Sequence, residues 1–474
     1  MKNKVATERI YSLWFPALLT IMCLACGLAF GVIYGKLVFD KIDVISIVSV
    51  ILFFFVALYS VFDDDRLSLI LPFVFIAFPT AVNNIFPGVY LETEQMGVIY
   101  PLICHPEIYL LLAIIVKGSL IDFSTDGLTY LLSISFIITS IINMVACDNM
   151  QQLVLLVAGQ YPVRLLILTA LMLRSRSLNY ELLLIGFCLA ILFLAFESTV
   201  FTLNTASSSW SSGSLGINTL GNVMGIMSMV LLYYVIITDI QGLKRKLMII
   251  CAIVGVLIAI LTETRVILLA MIAMAVVILY PIMSKRIKII VFLIMLGVVI
   301  YIVRTNLLFH LEGKMDIGAA MDAIDYSKSA GLEIRYSEAT TSLITRLSLW
   351  ETSFKMFFDR PLTGIGWNLF NILKYKYGFE TIVIIDPHNG YISFLCQLGI
   401  WAFLWWYYLY FRSWMIFLKS RDSHLKAMAV FNVGMSICEL TNAGSYKYSV
   451  LSMLILVSVY INMKYREEAI AEIQ

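Results

Sequence analysis

The chain has 474 residues, of which 61% are hydrophobic and 14% charged, where a soluble domain carries roughly 45–50% apolar and about 25% charged residues. A mean hydropathy of +0.92, spread along nearly the whole length, excludes a water-soluble enzyme on a single anchor and indicates many spanning segments. The net charge of +2, from 33 basic and 31 acidic residues, argues against nucleic acid as a partner.

Taken in chain order, stretches free of Asp, Glu, Lys and Arg cover 10–35, 44–62, 67–91 and 127–147. A serine-rich loop leading into a span follows at 198–238, and further clean stretches cover 266–284 and 387–411. A bilayer core takes about 20 helical residues, so each can span. Shorter apolar cores near 105–116, 153–173, 182–196, 247–262, 289–303, 427–438 and 448–463 bring the expected count to about 12–14 transmembrane helices. The first run is too long for a signal-peptide core and has no small-residue cleavage site after it, so the N-terminus is expected to be retained. The eight cysteines sit in or beside apolar runs, which fits buried thiols and not a disulfide framework; Cys23 and Cys26, spaced as CxxC within the first run, are read the same way.

Orientation follows from the basic residues. With the N-terminus inside, alternate short loops hold 19 Lys and Arg, whereas the opposite side holds only Lys36, Lys41, Arg265 and Lys447. This bias places both termini in the cytoplasm. It also divides the chain into a bundle of about 11 spans over 1–303, an extracytoplasmic loop over 304–386, and about three further spans with a cytoplasmic tail over 387–474.

The loop carries ten acidic and nine basic residues, the charge density of an ordinary soluble surface. Long loops cross the membrane largely regardless of charge, and connections of this length are commonly functional. Within it Leu343, Leu347, Trp350, Phe354 and Phe357 recur at spacings of four and three, the stripe of an amphipathic helix. Thr341 or Ser342 is expected to cap this helix and Pro361 to stop it; Gly364 and Gly366 then permit a close turn.

Three groups fall at one outer boundary: Arg265 between two spans, Arg346 on the loop helix and His388 at the start of a span. Arg265 either snorkels, pairs with Glu263 or binds an anion. Arg346, one turn before Trp350, either stacks on that ring or points into a site beneath the loop. His388 opens an apolar helix within Asp386-Pro387-His388-Asn389-Gly390-Tyr391, and an ordinary imidazole titrates near neutral pH, which suits a general base. Arg164 lies mid-span after Pro162, where an ionisable residue faces a cavity or a partner. No His, Cys, Asp or Glu group has metal-ligand spacing, Asp63-Asp64-Asp65 fits a solvated loop, and no Walker loop appears. The expected chemistry is therefore that of a pre-activated anionic substrate met by arginines, with no metal, cofactor or ATP.

The order Arg346, Trp350, Arg360-Pro361-Leu362-Thr363-Gly364-Ile365-Gly366, Pro387-His388-Asn389-Gly390-Tyr391 and Leu398-Gly399-Ile400 resembles the O-antigen ligase/polymerase family of membrane proteins, the Wzy and WaaL type. Arg265 and Asn218-Thr219-Leu220-Gly221-Asn222 resemble further family positions. The resemblance implies an all-α, polytopic glycosyltransferase of GT-C-like architecture in the bacterial inner membrane, with its active site on the extracytoplasmic face. It implies a donor oligosaccharide linked through diphosphate to undecaprenol, metal-independent inverting transfer, and a chain-length regulator protein as partner. On this reading His388, Arg265 and Arg346 are catalytic, Arg164, Arg360 and Asn389 bind substrate, and Asn389 also holds the His388 turn. A repeat-unit polymerase of O-antigen or capsule type is preferred. The alternatives are a ligase passing glycan to lipid A core, and a flippase or transporter, which would place charge along a central path.

Overall fold

The computed structural model describes residues 68–69, 71–72, 76, 138–139, 141–148, 178–205, 216–262, 271–277, 280, 283–286, 289, 338–366, 369–379, 387–440 and 448–473. Of the spans expected before residue 178 only 68–69, 71–72, 76, 138–139 and 141–147 are described; Arg164 and Arg265 lie outside the described residues, as do loop residues 304–337, 367–368 and 380–386. The described residues are helical or in turns and contain no strand, as an all-α membrane protein requires.

Eight helices organise them: α1 (Tyr180–Thr205), α2 (Gly216–Ile237), α3 (Gly242–Leu261), α4 (Glu338–Asp359), α5 (Phe370–Leu373), α6 (Gly390–Lys419), α7 (Ser423–Cys438) and α8 (Tyr448–Ile473). Each expected core from 182 onward that is described carries a helix, and α1 continues through 198–205, where a loop was expected. Tyr180–Thr199, Thr219–Ile237 and Gly390–Lys419 are long and apolar enough to cross a membrane.

Capping and close packing explain the bundle. Asn179 Oδ1 accepts from the Glu181 and Leu182 amides at 3.1 and 3.4 Å and so starts α1. Gly255 of α3 lies against Ser228 and Met224 of α2, and Gly434 of α7 lies against Ile226 of α2; small residues let apolar helices approach closely. Buried Asn432 of α7 donates to Ser413 Oγ of α6 at 2.9 Å and to Ser458 Oγ of α8 at 2.7 Å, tying three helices across the interior. The α6–α7 link is fixed by Glu468, whose carboxylate accepts from Ser420 Oγ at 2.8 Å and from the Arg421 amide at 2.8 Å.

The charge-free stretch 387–411 is not one straight span. Gly399 has φ 73° and ψ −178°, and the helix reverses there. Phe394 and Trp406 are twelve residues apart, which would separate them by about 18 Å on a straight helix. Their rings stack at 4.2 Å, and Tyr391 and Tyr410 approach to 6.4 Å. The arm 390–398 therefore lies antiparallel to 400–419, which at about 30 Å is still long enough to span. Hydropathy alone cannot register this reversal, because both arms are equally apolar.

The loop helix also differs from its expected form. It starts at Glu338, so Thr341 and Ser342 lie inside it and do not cap it, whereas it ends at Asp359, just before Pro361. Its buried face is Leu349, Thr352, Ser353 and Met356, while Phe354 of the expected stripe is 40% exposed. Ser353 is small and returns its hydroxyl to the Leu349 carbonyl at 2.6 Å, which lets this face pack closely, with Leu349 and Met356 joining Cys396 of α6 in one cluster.

Candidate active site

The site is built where α4, the start of α6 and the end of α7 meet, and the turn that follows α4 holds the reversal of α6. At the reversal, the last carbonyls of the 390–398 arm and the first amide of the 400–419 arm have no partners within their own helices. The loop turn 361–366 supplies them: the Ile365 amide donates to Cys396 O at 3.0 Å, Gly366 to Gln397 O at 2.9 Å, and Ile400 to Pro361 O at 2.9 Å. Gly364 has φ 67° and no room for a Cβ, which would overlap the Gln397 backbone; a Cβ on Gly399 would overlap Leu362. Asn143, on the helical piece 141–145, donates Nδ2 to the Thr363 carbonyl at 2.7 Å and fixes the turn from a third side.

His388 stands at the head of the short arm. It is half-buried with φ 51°, and it is the one non-glycine residue in the left-handed region among the described residues. That conformation costs a side-chain-bearing residue about 1 kcal/mol or more, so the surrounding contacts must hold it. Three do. The Pro387 carbonyl accepts from Trp350 Nε1 of α4 at 3.0 Å. Asn389 caps α6 by accepting from the Ile392 amide at 3.1 Å, and its Nδ2 donates to Leu440 O at 3.1 Å. The Gly390 amide donates to Glu439 O at 2.9 Å, at the end of α7. Tyr391 follows with its hydroxyl on Ser436 O at 2.9 Å.

Asn389 thus engages its amide with the fold at both ends, as a residue that holds the turn would. Arg346 lies one turn before Trp350 on α4, half-buried, and among the described residues it has no carboxylate partner. The Trp350 indole N–H is directed to Pro387, so the Trp350 side chain bridges α4 to the His388 turn.

Arg360 is placed elsewhere. Fourteen residues along from Arg346, about 21 Å of helix, it lines a narrow cleft with Asn143, Asp148, Lys376 and Tyr377. Tyr377 donates to Asp359 Oδ2 at 2.5 Å; burial first and then this bond push its hydroxyl up to about 12. Within the loop Lys374 is fully buried, with Nζ 5.2 Å from the Tyr375 ring and 6.0 Å from the Phe379 ring, and burial lowers its ammonium below the ordinary lysine range.

Glu439 was not among the residues singled out from sequence. It is fully buried, and its carboxylate occupies the space that a Cβ on Gly390 would need. The available signal was a lone acidic residue closing the charge-free stretch 427–438. Cys147, Cys188, Cys251, Cys396 and Cys438 are free thiols.

In chemical terms, the described site offers an imidazole on a rigid turn, a guanidinium on the helix bonded to that turn, and a buried carboxylate under it. Residues 247–407, which include both α4 and the short arm of α6, match the family model described as O-antigen ligase. No curated protein matches the chain.

Proposed function

We propose that this chain, a membrane protein of the O-antigen ligase/polymerase family, is a repeat-unit polymerase. It transfers a glycan from undecaprenyl diphosphate to a hydroxyl of an acceptor repeat unit. The observation that carries the reading is the His388 turn, held in a left-handed conformation by Trp350 from the Arg346 helix. Such strain persists where the surroundings over-determine it, and it gathers at functional sites.

In the proposed reaction, His388 accepts the proton of the acceptor hydroxyl as its oxygen attacks the anomeric carbon of the donor. The bond from that carbon to the diphosphate oxygen breaks with inversion, and undecaprenyl diphosphate leaves with the electron pair. Arg346 and Arg265 stabilise the departing charge through paired N–H donors, which a planar guanidinium presents to phosphate oxygens. Arg164 and Arg360 bind the substrate further from the reacting atoms. The active site faces the extracytoplasmic side of the inner membrane, both termini are cytoplasmic, and a chain-length regulator protein is the partner expected to set product length.

The description of the matched family model favours a second reading, transfer of the glycan to lipid A core. One experiment separates them. The purified protein is incubated, without metal or ATP, with the undecaprenyl-diphosphate repeat unit of its source strain, with and without lipid A core. A ladder rising by one repeat supports the polymerase. Capture of the glycan only when lipid A core is present supports the ligase, and absence of transfer in both arms overturns both.

A further inference from the structure

At the end of the bundle away from the His388 turn, the starts of α1, α3 and α7 and the end of α2 enclose a cavity of about 560 Å³. His424 in its wall is fifteen residues from Glu439 along α7, about 22 Å. The cavity therefore belongs to a different place from the transfer site. Its lining carries both signs of charge: Lys244, and the carboxylates of Glu181 and Asp239. Lys244 Nζ and Glu181 Oε2 pair at 2.9 Å, with side chains 61% and 47% exposed, so the pair is open to exchange with a ligand.

Three rings form the rest of the wall. His424 lies 4.1 Å from Tyr180 and 5.4 Å from Tyr234, centroid to centroid, and the Tyr180 hydroxyl is 3.2 Å from His424 Nε2. The second ring nitrogen of His424 is buried with no hydrogen-bond partner among the described residues. The start of α3 completes the site, because Gln241 gives it no side-chain cap and the first amides of this 20-residue helix stay available to an anion.

The cavity is continuous with apolar stripes. Ile185 in its lining begins the series Leu189, Leu192, Phe196 on α1, each at least 41% exposed. Leu243, beside Lys244, begins the exposed series Leu247, Ile250, Ile253 on α3. A soluble ligand has no use for these stripes, whereas acyl chains do. A purely anionic head group would meet Glu181 and Asp239 unfavourably, whereas a zwitterion satisfies both signs.

We propose that this cavity binds the head group of an aminophospholipid of the phosphoethanolamine class. The phosphate rests on Lys244 and the start of α3. The ammonium rests against Glu181, Asp239 and the partly exposed Tyr180 ring, where cation–π attraction adds to the ion pair.

The test measures lipid retention by native mass spectrometry and thermal unfolding of the full-length protein in detergent. The probes are phosphatidylethanolamine, phosphatidylglycerol and water-soluble phosphoethanolamine. Phosphatidylethanolamine is expected to bind about tenfold or more tighter than phosphatidylglycerol and to raise the unfolding temperature, while the soluble head group does neither. Lys244→Ala and Glu181→Gln, at half-exposed side chains, are expected to reduce the preference to about twofold or less while leaving the glycan-transfer rate unchanged. Exchanging the two (Glu181→Lys with Lys244→Glu) keeps an ion pair, reverses its polarity, and is expected to abolish the preference in a folded protein. Equal retention of the two lipids by the unmodified protein, full preference in the exchanged variant, or equal stabilisation by soluble phosphoethanolamine each overturns the proposal. Because the readout is binding, it stands apart from whether the chain proves to be a polymerase.

Discussion

The indole nitrogen of Trp350 donates to the Pro387 carbonyl across 3.0 Å, joining the helix that carries Arg346 to the residue that precedes His388. One hydrogen bond thus couples the cation and the base of the proposed reaction. Trp350→Phe keeps a large ring but removes the donor, leaving a carbonyl without its partner, which costs about 1 kcal/mol of local stability. The expected result is a roughly tenfold fall in kcat with KM within about twofold and little change in Tm, because only the alignment of the turn is lost. An unchanged kcat in single-turnover assays would remove the coupling role.

Gly364 and Gly399 are interleaved, each with positive φ and each backed onto the other strand of the turn. Alanine at either position must pay for the left-handed backbone and also push the neighbouring main chain aside. Each variant is expected to lose about 2 kcal/mol or more, seen as a Tm several degrees lower and as less protein in the membrane. Gly378 is the control. It too has positive φ, 86°, but a Cβ there meets nothing within 4 Å, so Gly378→Ala is expected to cost only about 1 kcal/mol.

How far the sequence carries the reading depends on what kind of information each feature needs. The helices α1, α2, α3, α7 and α8 follow from runs of apolar residues and were expected. The end of α4 was expected because Pro361 cannot continue it. The reversal at Gly399 was not, since a glycine within an apolar run is equally compatible with a straight span, and only the partner turn 361–366 makes the break stable. The buried face of α4 is rotated from the expected stripe: it runs through Leu349, Ser353 and Met356, with Trp350 and Phe357 at its border and Phe354 pointing outward, and the small Thr352 and Ser353 within it carry no weight in a pattern read from hydropathy. His388 and Arg346 were legible as polar residues at the edges of apolar elements. Glu439 became visible only when α7 was seen to end against Gly390, 49 residues away in the chain.

Tyr377 gives the loop an alkaline limit. Its hydroxyl is pushed up to about 12, by burial and by donation to Asp359, from an ordinary value near 10. The folded state therefore favours the protonated phenol. The stabilisation is complete below about pH 10, and it is lost as pH rises from there through about 12, where the folded form also ionises. Unfolding followed against pH should show stability falling over that window, and Tyr377→Phe should flatten the fall. An equally steep decline in the Phe variant would assign the alkaline limit to other groups.

The site assignment itself is tested by His388→Ala, Arg346→Ala and Arg265→Ala. Each is expected to lower transfer by at least about a hundredfold, the scale of losing a general base or a charge-stabilising donor, while the protein still accumulates in the membrane. The His388 and Arg346 side chains are half-buried and not part of the core, so their removal should leave Tm within a few degrees. Lysine at Arg346 or Arg265 is expected to restore transfer only in part, since a point charge lacks the planar fork that holds two phosphate oxygens at once. Asn389→Ala should behave differently: it removes the cap of α6 and the bond to Leu440, so it lowers Tm as well as kcat. If Asn389→Ala left Tm unchanged and raised KM instead, Asn389 would act in substrate binding, and the turn would have to be held by Trp350 and Glu439 alone.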